Sequence, residues 1–352
     1  MRAFTADYLR EVGTECFVAC GSPPAEAGQV AEHLVESNLM GYDSHGIVRV
    51  TEYVHCVKDG RVKPGAKWSV MKESPSTAIV DCALNFGQVS GNAMVDMVCE
   101  KAKACGIACV LSRNCFHVGR LGGYVQKIAE RGMFGLMACN GRQRIHMVVP
   151  WGGREGRLGT NPIAFGAPTK GWPVVLDMST CMIPEGKVRL AMFQHKPVPE
   201  NCIQDADGNA TTDAAAFYTP DQSKIIGTIL PFGSPTFGYK GYGLAMMIEI
   251  MGAILSGEDA TVDHDRSNGV SLLAINPDVF CGVEVFTELV DRFCKYQMSS
   301  KPATGFEEVV VPGVYDFRMR EKRLAEGIPI EDGVWEQIAA AAKQVGTRVC
   351  EP

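Results

Sequence analysis

The chain has 352 residues, enough for one large or two moderate domains, and its 46% hydrophobic content is that of a core-forming globule. A net charge of -6 argues against a sequence-independent affinity for nucleic acid, which needs a basic surface to displace counterions, and leaves room only for a local basic pocket. Fourteen cysteines without a Cys-x-x-Cys pair, and seven scattered histidines without the short helical spacing of zinc hydrolases, argue against a metal site and for free thiols.

The first twenty residues carry Asp7, Arg10, Glu11 and Glu15 and never form the apolar stretch of a signal peptide, so a cytoplasmic protein is expected. Ala27, Val30, Ala31, Leu34, Val35 and Leu39 follow helical spacing and predict an amphipathic helix over Ala25 to Leu39, with Pro24 in its first turn and its end at Gly41. A second helix is predicted from Ser44 to Lys58, N-capped by Asp43 or Ser44, with Lys63-Pro64-Gly65 closing the helical part. From Ser76 the pattern alternates. Strands are predicted at Thr77 to Asp81, Gly106 to Ser112, Phe134 to Cys139 and Val174 to Leu176, with helices at Ser90 to Cys105 and Tyr124 to Glu130, which gives a doubly wound or mixed sheet with helical cover. Gly152 to Pro168 and Pro197 to Thr212 read as loops. The run Gly241 to Leu255, interrupted by Glu249, falls short of the roughly 20 residues that span a bilayer and reads as a buried helix, so no membrane partner is expected. Toward the end come a strand at Val309 to Val311, a turn at Pro312-Gly313, and helices at Arg318 to Glu326 and Asp332 to Gln344, a tail able to pack back on the N-terminal helices.

The segment Asp43-Ser44-His45-Gly46-Ile47-Val48-Arg49 carries the strongest chemical signal. On one helix His45 and Arg49 would share a face, with Cβ atoms about 5 to 6 Å apart. A guanidinium can grip a carboxylate while an imidazole exchanges a proton with the oxygen on the next carbon, which suits a small 2-oxo or 2-hydroxy acid. Ser44 is placed to orient the ring. A second histidine, His117, lies in a strand-to-helix turn, Asn114 to Gly123, where the free N–H groups of the helix start could take a substrate carboxylate. A loop histidine bonded to backbone accounts for that segment equally well. The chain has no Gly-x-Gly-x-x-Gly and no Walker pattern, so a standard Rossmann turn is not encoded. Trp151 to Pro162 could still wrap phosphates with backbone amides and Arg154 or Arg157, although a surface turn cluster is the ordinary reading. Asp177 ends a predicted strand, where it could receive ribose hydroxyls or simply cap the next element. Lys240 precedes an apolar helix whose dipole it opposes, which points to a nearby anion or to simple solvation.

With Gly41 to Arg49, Asn114 to Gly122, Pro150 to Pro162, Leu176 to Thr180, Lys240 to Ala245 and Val311 to Gly313 in one order, the chain resembles the malate/L-lactate dehydrogenase-like family nearly end to end. The resemblance implies an α/β fold in which a non-Rossmann mixed-sheet cofactor domain (76–299) with helical cover joins a helical domain (1–75 completed by 300–352). It implies an NAD(P)-dependent homodimer that moves a hydride between nicotinamide and C2 of a small 2-hydroxy or 2-oxo acid such as malate, lactate or sulfolactate. The family's acid/base histidine falls on His45, its supporting serine on Ser44 and its carboxylate-binding arginine on Arg49. His117, Val118, Gly119, Arg120 and Leu121 match the substrate loop, with His117 also a candidate catalytic residue. Cofactor contacts fall on Asn140, Thr160, Asp177, Met178, Ser179, Lys240, Gly241, Pro312, Gly313 and Val314.

The chain departs from the family's pattern in four places. Asn140-Gly141-Arg142-Gln143-Arg144 carries arginines where many relatives are neutral, a feature suited to a second acidic group, a cofactor phosphate or solvent. Lys187 replaces an acidic residue of the imine-reducing relatives, which argues against a cyclic imine substrate. Ile183-Pro184-Glu185 and Val314 differ too. Two other readings follow: a cyclic imine carboxylate reductase, and a catalytically silent nucleotide-binding relative.

Overall fold

The computed structural model describes residues 2–141, 146–261 and 267–347. The strands, in chain order, are β1 (Arg2–Phe4), β2 (Ser69–Glu73), β3 (Thr77–Asp81), β4 (Ile107–Arg113), β5 (Phe134–Cys139), β6 (Ile163–Ala167), β7 (Val174–Met178), β8 (Ile203–Gln204), β9 (Ala210–Thr211), β10 (Thr228–Ile229), β11 (Val270–Ile275) and β12 (Ile328–Ile330). The helices are α1 (Ala6–Ala19), α2 (Pro24–Leu39), α3 (Arg49–Lys58), α4 (Gly87–Cys105), α5 (Gly122–Ala129), α6 (Glu185–Phe193), α7 (Gly238–Gly252), α8 (Val283–Met298), α9 (Val314–Glu326) and α10 (Asp332–Gln344).

Seven strands form one sheet in the order β2-β3-β4-β11-β5-β6-β7, and of its pairings only β3 with β4 is parallel. The sheet is therefore mixed, not doubly wound. Its middle strand, β11, enters late in the chain and pairs antiparallel with both β4 and β5. Val270, Leu272 and Ala274 on one face of β11 and Ser271 on the other are buried, as expected of a strand covered on both faces. On one face α4 and α5 supply Val95, Val98, Tyr124 and Ile128 to the core. Gly166 lets α5 press its backbone onto β6, where a Cβ would collide with the Val125 carbonyl. On the other face lies α7, with Ile248 against Ala138 and Ile163.

Two expectations fail in this region. Ile163–Ala167 is a strand inside the stretch read as loop, its ladders to β5 and β7 outweighing the surrounding glycines. Val309 to Val311 forms no strand: the approach to β7 is limited to the Pro312 carbonyl accepting from Val175 N, at 3.4 Å, and the proline that follows offers no N–H to continue a ladder. The α7 region is only half buried. Ala245 and Ile248 face the sheet, whereas Leu244, Met246, Met247 and Ile250 are exposed because nothing in the described residues covers that flank.

A second core is helical. Leu9, Phe17, Leu34, Ile47, Tyr53 and Val54 from α1 to α3 pack with Ile328, Trp335 and Ile338 from the chain's end. The tail is held there by β12 pairing antiparallel with β1 and by Trp335 stacked on Phe4, with centroids 4.2 Å apart. A smaller third core gathers Val148, Val188, Phe217 and Ile229 around β8 to β10.

Candidate active site

The segment that follows α2 does not form the expected continuous helix from Ser44. Gly41 (φ +87°) turns the chain, Asp43–His45 makes a single 3-10 turn, Gly46 is extended, and helix resumes only at Arg49. Neither Asp43 nor Ser44 caps it. Asn38 of α2 determines the path: its Oδ1 accepts from Ile47 N at 2.7 Å and its Nδ2 donates to Asp43 Oδ1 at 2.7 Å. Asp43 is further clamped by the Arg323 guanidinium of α9 through two hydrogen bonds of 2.6 and 3.0 Å. A side chain at Gly46 would collide with Asn38, so Gly46 permits the close crossing. The His45/Arg49 pair is therefore not one helical turn apart on one face. Arg49 instead folds back, donating from Nε to Ser44 O (2.7 Å) and from Nη1 to Glu52 (2.5 Å). A guanidinium has five N–H donors, so most of its capacity remains.

His45 and His117 nevertheless come together, their rings near parallel (26°) with centroids 5.8 Å apart. Ser44 Oγ lies 3.0 Å from His45 Nδ1. His117 is set by a chain of three groups: Gln88 Nε2 donates to the His117 carbonyl (3.2 Å) and to Tyr53 OH (3.0 Å), and Tyr53 OH lies 2.7 Å from His117 Nδ1. The carbonyl fixes which way the Gln88 amide points. Tyr53 then accepts from Gln88 and must donate to Nδ1, which leaves the proton of neutral His117 on Nε2. Burial keeps the Tyr53 hydroxyl protonated by pushing its pKa upward. Both imidazoles are neutral. Burial, then Arg49 and Arg120, lower His45 to about 4; burial, then Arg49, His45 and His33, hold His117 well below its ordinary value.

A cavity of about 100 Å³ opens between these rings and the sheet. Of the residues singled out in the sequence it is lined by His45, His117, Val118, Gly119, Leu121, Asn140 and Thr160. Arg120 points elsewhere. Its buried guanidinium lies 5.3 Å from the Tyr42 ring centroid and 3.4 Å from Gln126 Oε1, while its backbone N–H donates to the buried His33. The start of α5 is not open to a substrate carboxylate at Gly122, whose N–H donates to Asp177 Oδ2 at 2.6 Å. Ser179 Oγ accepts from the Cys181 thiol, and Met178 is half-buried at the end of edge strand β7. Lys240 is exposed, its Nζ 5.0 Å from the Phe237 ring centroid, and Gly241 packs against the Phe232 backbone. Pro312 lines a separate apolar cavity of about 650 Å³ under α8, Gly313 packs against Val175, and Val314 begins α9. Arg154 packs on Gly208 and Arg157 pairs with Glu155, as in a surface turn cluster. Arg142 and Arg144 lie outside the described residues.

Four positions in or behind the cavity wall carried no motif: Tyr53, Gln88, Glu249 and Asn268. Glu249 accepts from Asn140 Nδ2 (2.6 Å) and from Asn161 Nδ2 (2.8 Å), tying α7 to the wall. Its isolation as the one charge between Gly241 and Leu255 was the visible signal. The residues present fit the nicotinamide that the family resemblance implies. The wall is flat, because Gly141 and Gly159 meet so closely that a Cβ on Gly159 would lie 2.7 Å from the Gly141 Cα. It also holds a buried amide oxygen, Asn268 Oδ1, that has no hydrogen-bond partner among the described residues.

Fold and comparisons together define the class: this chain is a hydroxy-acid dehydrogenase, an oxidoreductase. It belongs to the malate/L-lactate dehydrogenase family, whose profile matches residues 4–339. The malate dehydrogenase of Pyrococcus horikoshii is 36% identical over 335 residues, 93% of this chain and 91% of its own length. The L-sulfolactate dehydrogenase of Methanocaldococcus jannaschii is 35% identical over 336 residues, 94% of this chain and 93% of its own. A solved structure of sulfolactate dehydrogenase from the same organism superimposes with a TM-score of 0.88 at 32% identity, covering 99% of this chain and 98% of that one.

Proposed function

We propose that the protein is an NAD- or NADP-dependent dehydrogenase of a small 2-hydroxy acid, or reductase of the matching 2-oxo acid, of the size of malate, lactate or sulfolactate. One observation carries this reading: two neutral histidines, each fixed by its own hydroxyl, face one cavity, and the Arg49 guanidinium, although not among the lining residues, is near enough to lower the pKa of both. His45 exchanges the proton of the oxygen on C2, with Ser44 holding its Nδ1 so that Nε2 faces the substrate. His117 donates from Nε2–H to the same oxygen. Arg49 takes the carboxylate with the N–H groups that Ser44 and Glu52 leave free, and so presents one face of C2. When bound, the nicotinamide supplies or receives the hydride at C2. Val118, Gly119 and Leu121 shape the substrate wall, and Asn140 and Thr160 line the ring side. Asp177, Met178, Ser179, Lys240, Gly241, Pro312, Gly313 and Val314 are left for the remainder of the dinucleotide, and Arg120 acts from beneath the loop.

In this reading the site lies between a helical domain (1–75 with 300–352) and the cofactor domain (76–299), except that β2 (Ser69–Glu73) belongs to the sheet of the latter. The protein acts as a homodimer in the cytoplasm. Support for the dimer comes from the exposed apolar residues of α7 and α8, among them Met247, Leu289 and Phe293, and support for a reducing compartment from thirteen free thiols among the described cysteines.

Absorbance of NADH and NADPH, followed with a panel of 2-oxo acids, tests the function. Turnover of at least one acid is expected. Failure with all of them, with neither nucleotide bound, refutes the reading; faster turnover of piperideine carboxylate would replace it with imine reduction, and binding without turnover with a silent relative.

A further inference from the structure

We infer that Asn268 recognises the carboxamide of the nicotinamide, accepting its N–H on Oδ1. The inference rests on the nicotinamide reading above and adds a residue to it. Asn268 is 7% exposed and lines the cavity that holds His45 and His117. Its position is fixed from two sides. Its backbone N–H donates to Cys115 O at 2.6 Å, two residues before His117, and its side-chain Nδ2 donates to Asn140 O at 2.8 Å. The second bond also decides the orientation of the amide, because exchanging its ends would set oxygen against oxygen. Oδ1 is then a buried acceptor without a partner among the described residues.

A buried acceptor in that state is costly unless something supplies a donor. Asn140 Oδ1 accepts from Gly269 N at 2.6 Å and Asn161 Oδ1 from Gly141 N at 3.1 Å, while Gln88 Oε1, which also has no partner among the described residues, belongs to a side chain that does not line the cavity. Among the described residues no donor is left for it, and the inference is that the ligand supplies one to Asn268 Oδ1. A 2-oxo acid has none, and at neutral pH a second carboxylate adds only acceptors, which this oxygen would repel. A 2-hydroxy acid has one hydroxyl, whose proton goes to His45. The cofactor's donors persist in both oxidation states and with every substrate of the class, and of these the carboxamide N–H is carried by the reacting ring itself, whereas the ribose hydroxyls lie beyond the ring nitrogen; the carboxamide is therefore the donor that reaches the wall beside His45 and His117.

Calorimetric binding tests this with whichever of NADH and NADPH binds and its 3-acetylpyridine counterpart, in which a methyl ketone replaces the carboxamide. The wild type is expected to bind the natural cofactor roughly tenfold more tightly than the ketone. In Asn268→Ala the natural cofactor loses about that factor while the ketone is unaffected, so the ratio approaches one. A role confined to holding the Asn140 backbone would weaken both alike and preserve the ratio, which overturns the inference, as does a wild type without preference. Asn268→Ser gives the same comparison should the alanine variant not fold. A wild type that binds neither cofactor overturns the nicotinamide reading itself, and this inference with it.

Discussion

The protonation of His45 offers the sharpest test of the site's electrostatics. Burial, then the charges of Arg49 and Arg120, lower its pKa from 6.5 to about 4, a shift equivalent to roughly 3 kcal/mol between the two protonation states. Because the folded value lies below the unfolded one, the unfolded chain binds more protons between about pH 4 and 6.5. The contribution of His45 to stability is thus fully present above pH 6.5 and lost as pH falls toward 4. His33 and His117, also lowered chiefly by burial, act in the same direction. Urea denaturation of the wild type and of His45→Gln at about pH 7.5 and about pH 4.5 isolates the one group: the wild type should lose roughly 2 to 3 kcal/mol more than the variant over this interval. Nuclear magnetic resonance of the imidazole gives the pKa directly. A carboxylate bound at Arg49 cancels the second cause of the shift but not the first, so a 2-oxo acid should raise the value only part of the way back. In turnover, kcat/KM for hydroxy-acid oxidation should stay level on its acidic side down to about pH 4 to 5, since neutral His45 is the active form. For reduction it should rise as pH is lowered. Equal pH slopes in wild type and variant, or a His45 titrating near 6.5 in the free protein, would refute this account of its surroundings.

Tyr53→Phe keeps the buried ring but removes the donor that fixes His117. Turnover should fall roughly 10- to 100-fold in steady-state assays while the circular dichroism spectrum is unchanged. Glu249→Gln sets an amide NH2 against the NH2 of Asn140 or Asn161; unfolding experiments should show a loss of about 1 to 3 kcal/mol, and calorimetry a weaker cofactor. Gly46→Ala drives a Cβ into Asn38, which holds both Ile47 and Asp43. A destabilisation of about 1 to 3 kcal/mol is expected by thermal denaturation, accompanied by lost activity because His45 is displaced.

Local pattern made much of this architecture visible in the sequence. Helical spacing from Ala27 to Leu39 locates α2, Thr77 to Asp81 and Phe134 to Cys139 are strands as their β-prone runs predict, and α10 runs from Asp332 to Gln344 as expected. What local pattern misses is set by distant partners. Val270–Ile275 becomes the middle strand only because β4 and β5, more than a hundred residues earlier, lie on both sides of it. The break between His45 and Arg49 is imposed by Asn38 and Arg323, neither of which belongs to the motif. His45, Ser44 and His117 were recognisable from residue type and setting. Tyr53, Gln88 and Asn268 were not, since a buried tyrosine or amide acquires its role from a hydrogen-bond partner that no spacing rule names.

The position of the cavity follows from how the chain is shared between two cores. Cys115 and Val118 are buried in the sheet core while Phe116, between them, is buried in the helical core with Tyr53 and Phe86. Alternation of this kind pins the strand-to-helix turn from both sides and leaves His117 at the seam. His45 reaches the seam from the helical side, anchored by Ile47 in that core and by the Arg323–Asp43 pair to the C-terminal tail. Asn140 and Asn268 reach it from the sheet, tied to each other and, through Glu249, to α7. A proton-exchanging ring and an amide-lined wall are thus carried by different packed cores, and the spacing between them is set by the contact of those cores. Substitutions that repack either core far from the cavity should therefore alter turnover and cofactor affinity together, whereas in the third core this is expected only near Met147 and Ala245, which join that core to the cavity wall, and changes at Phe217 or Cys202 should alter stability alone.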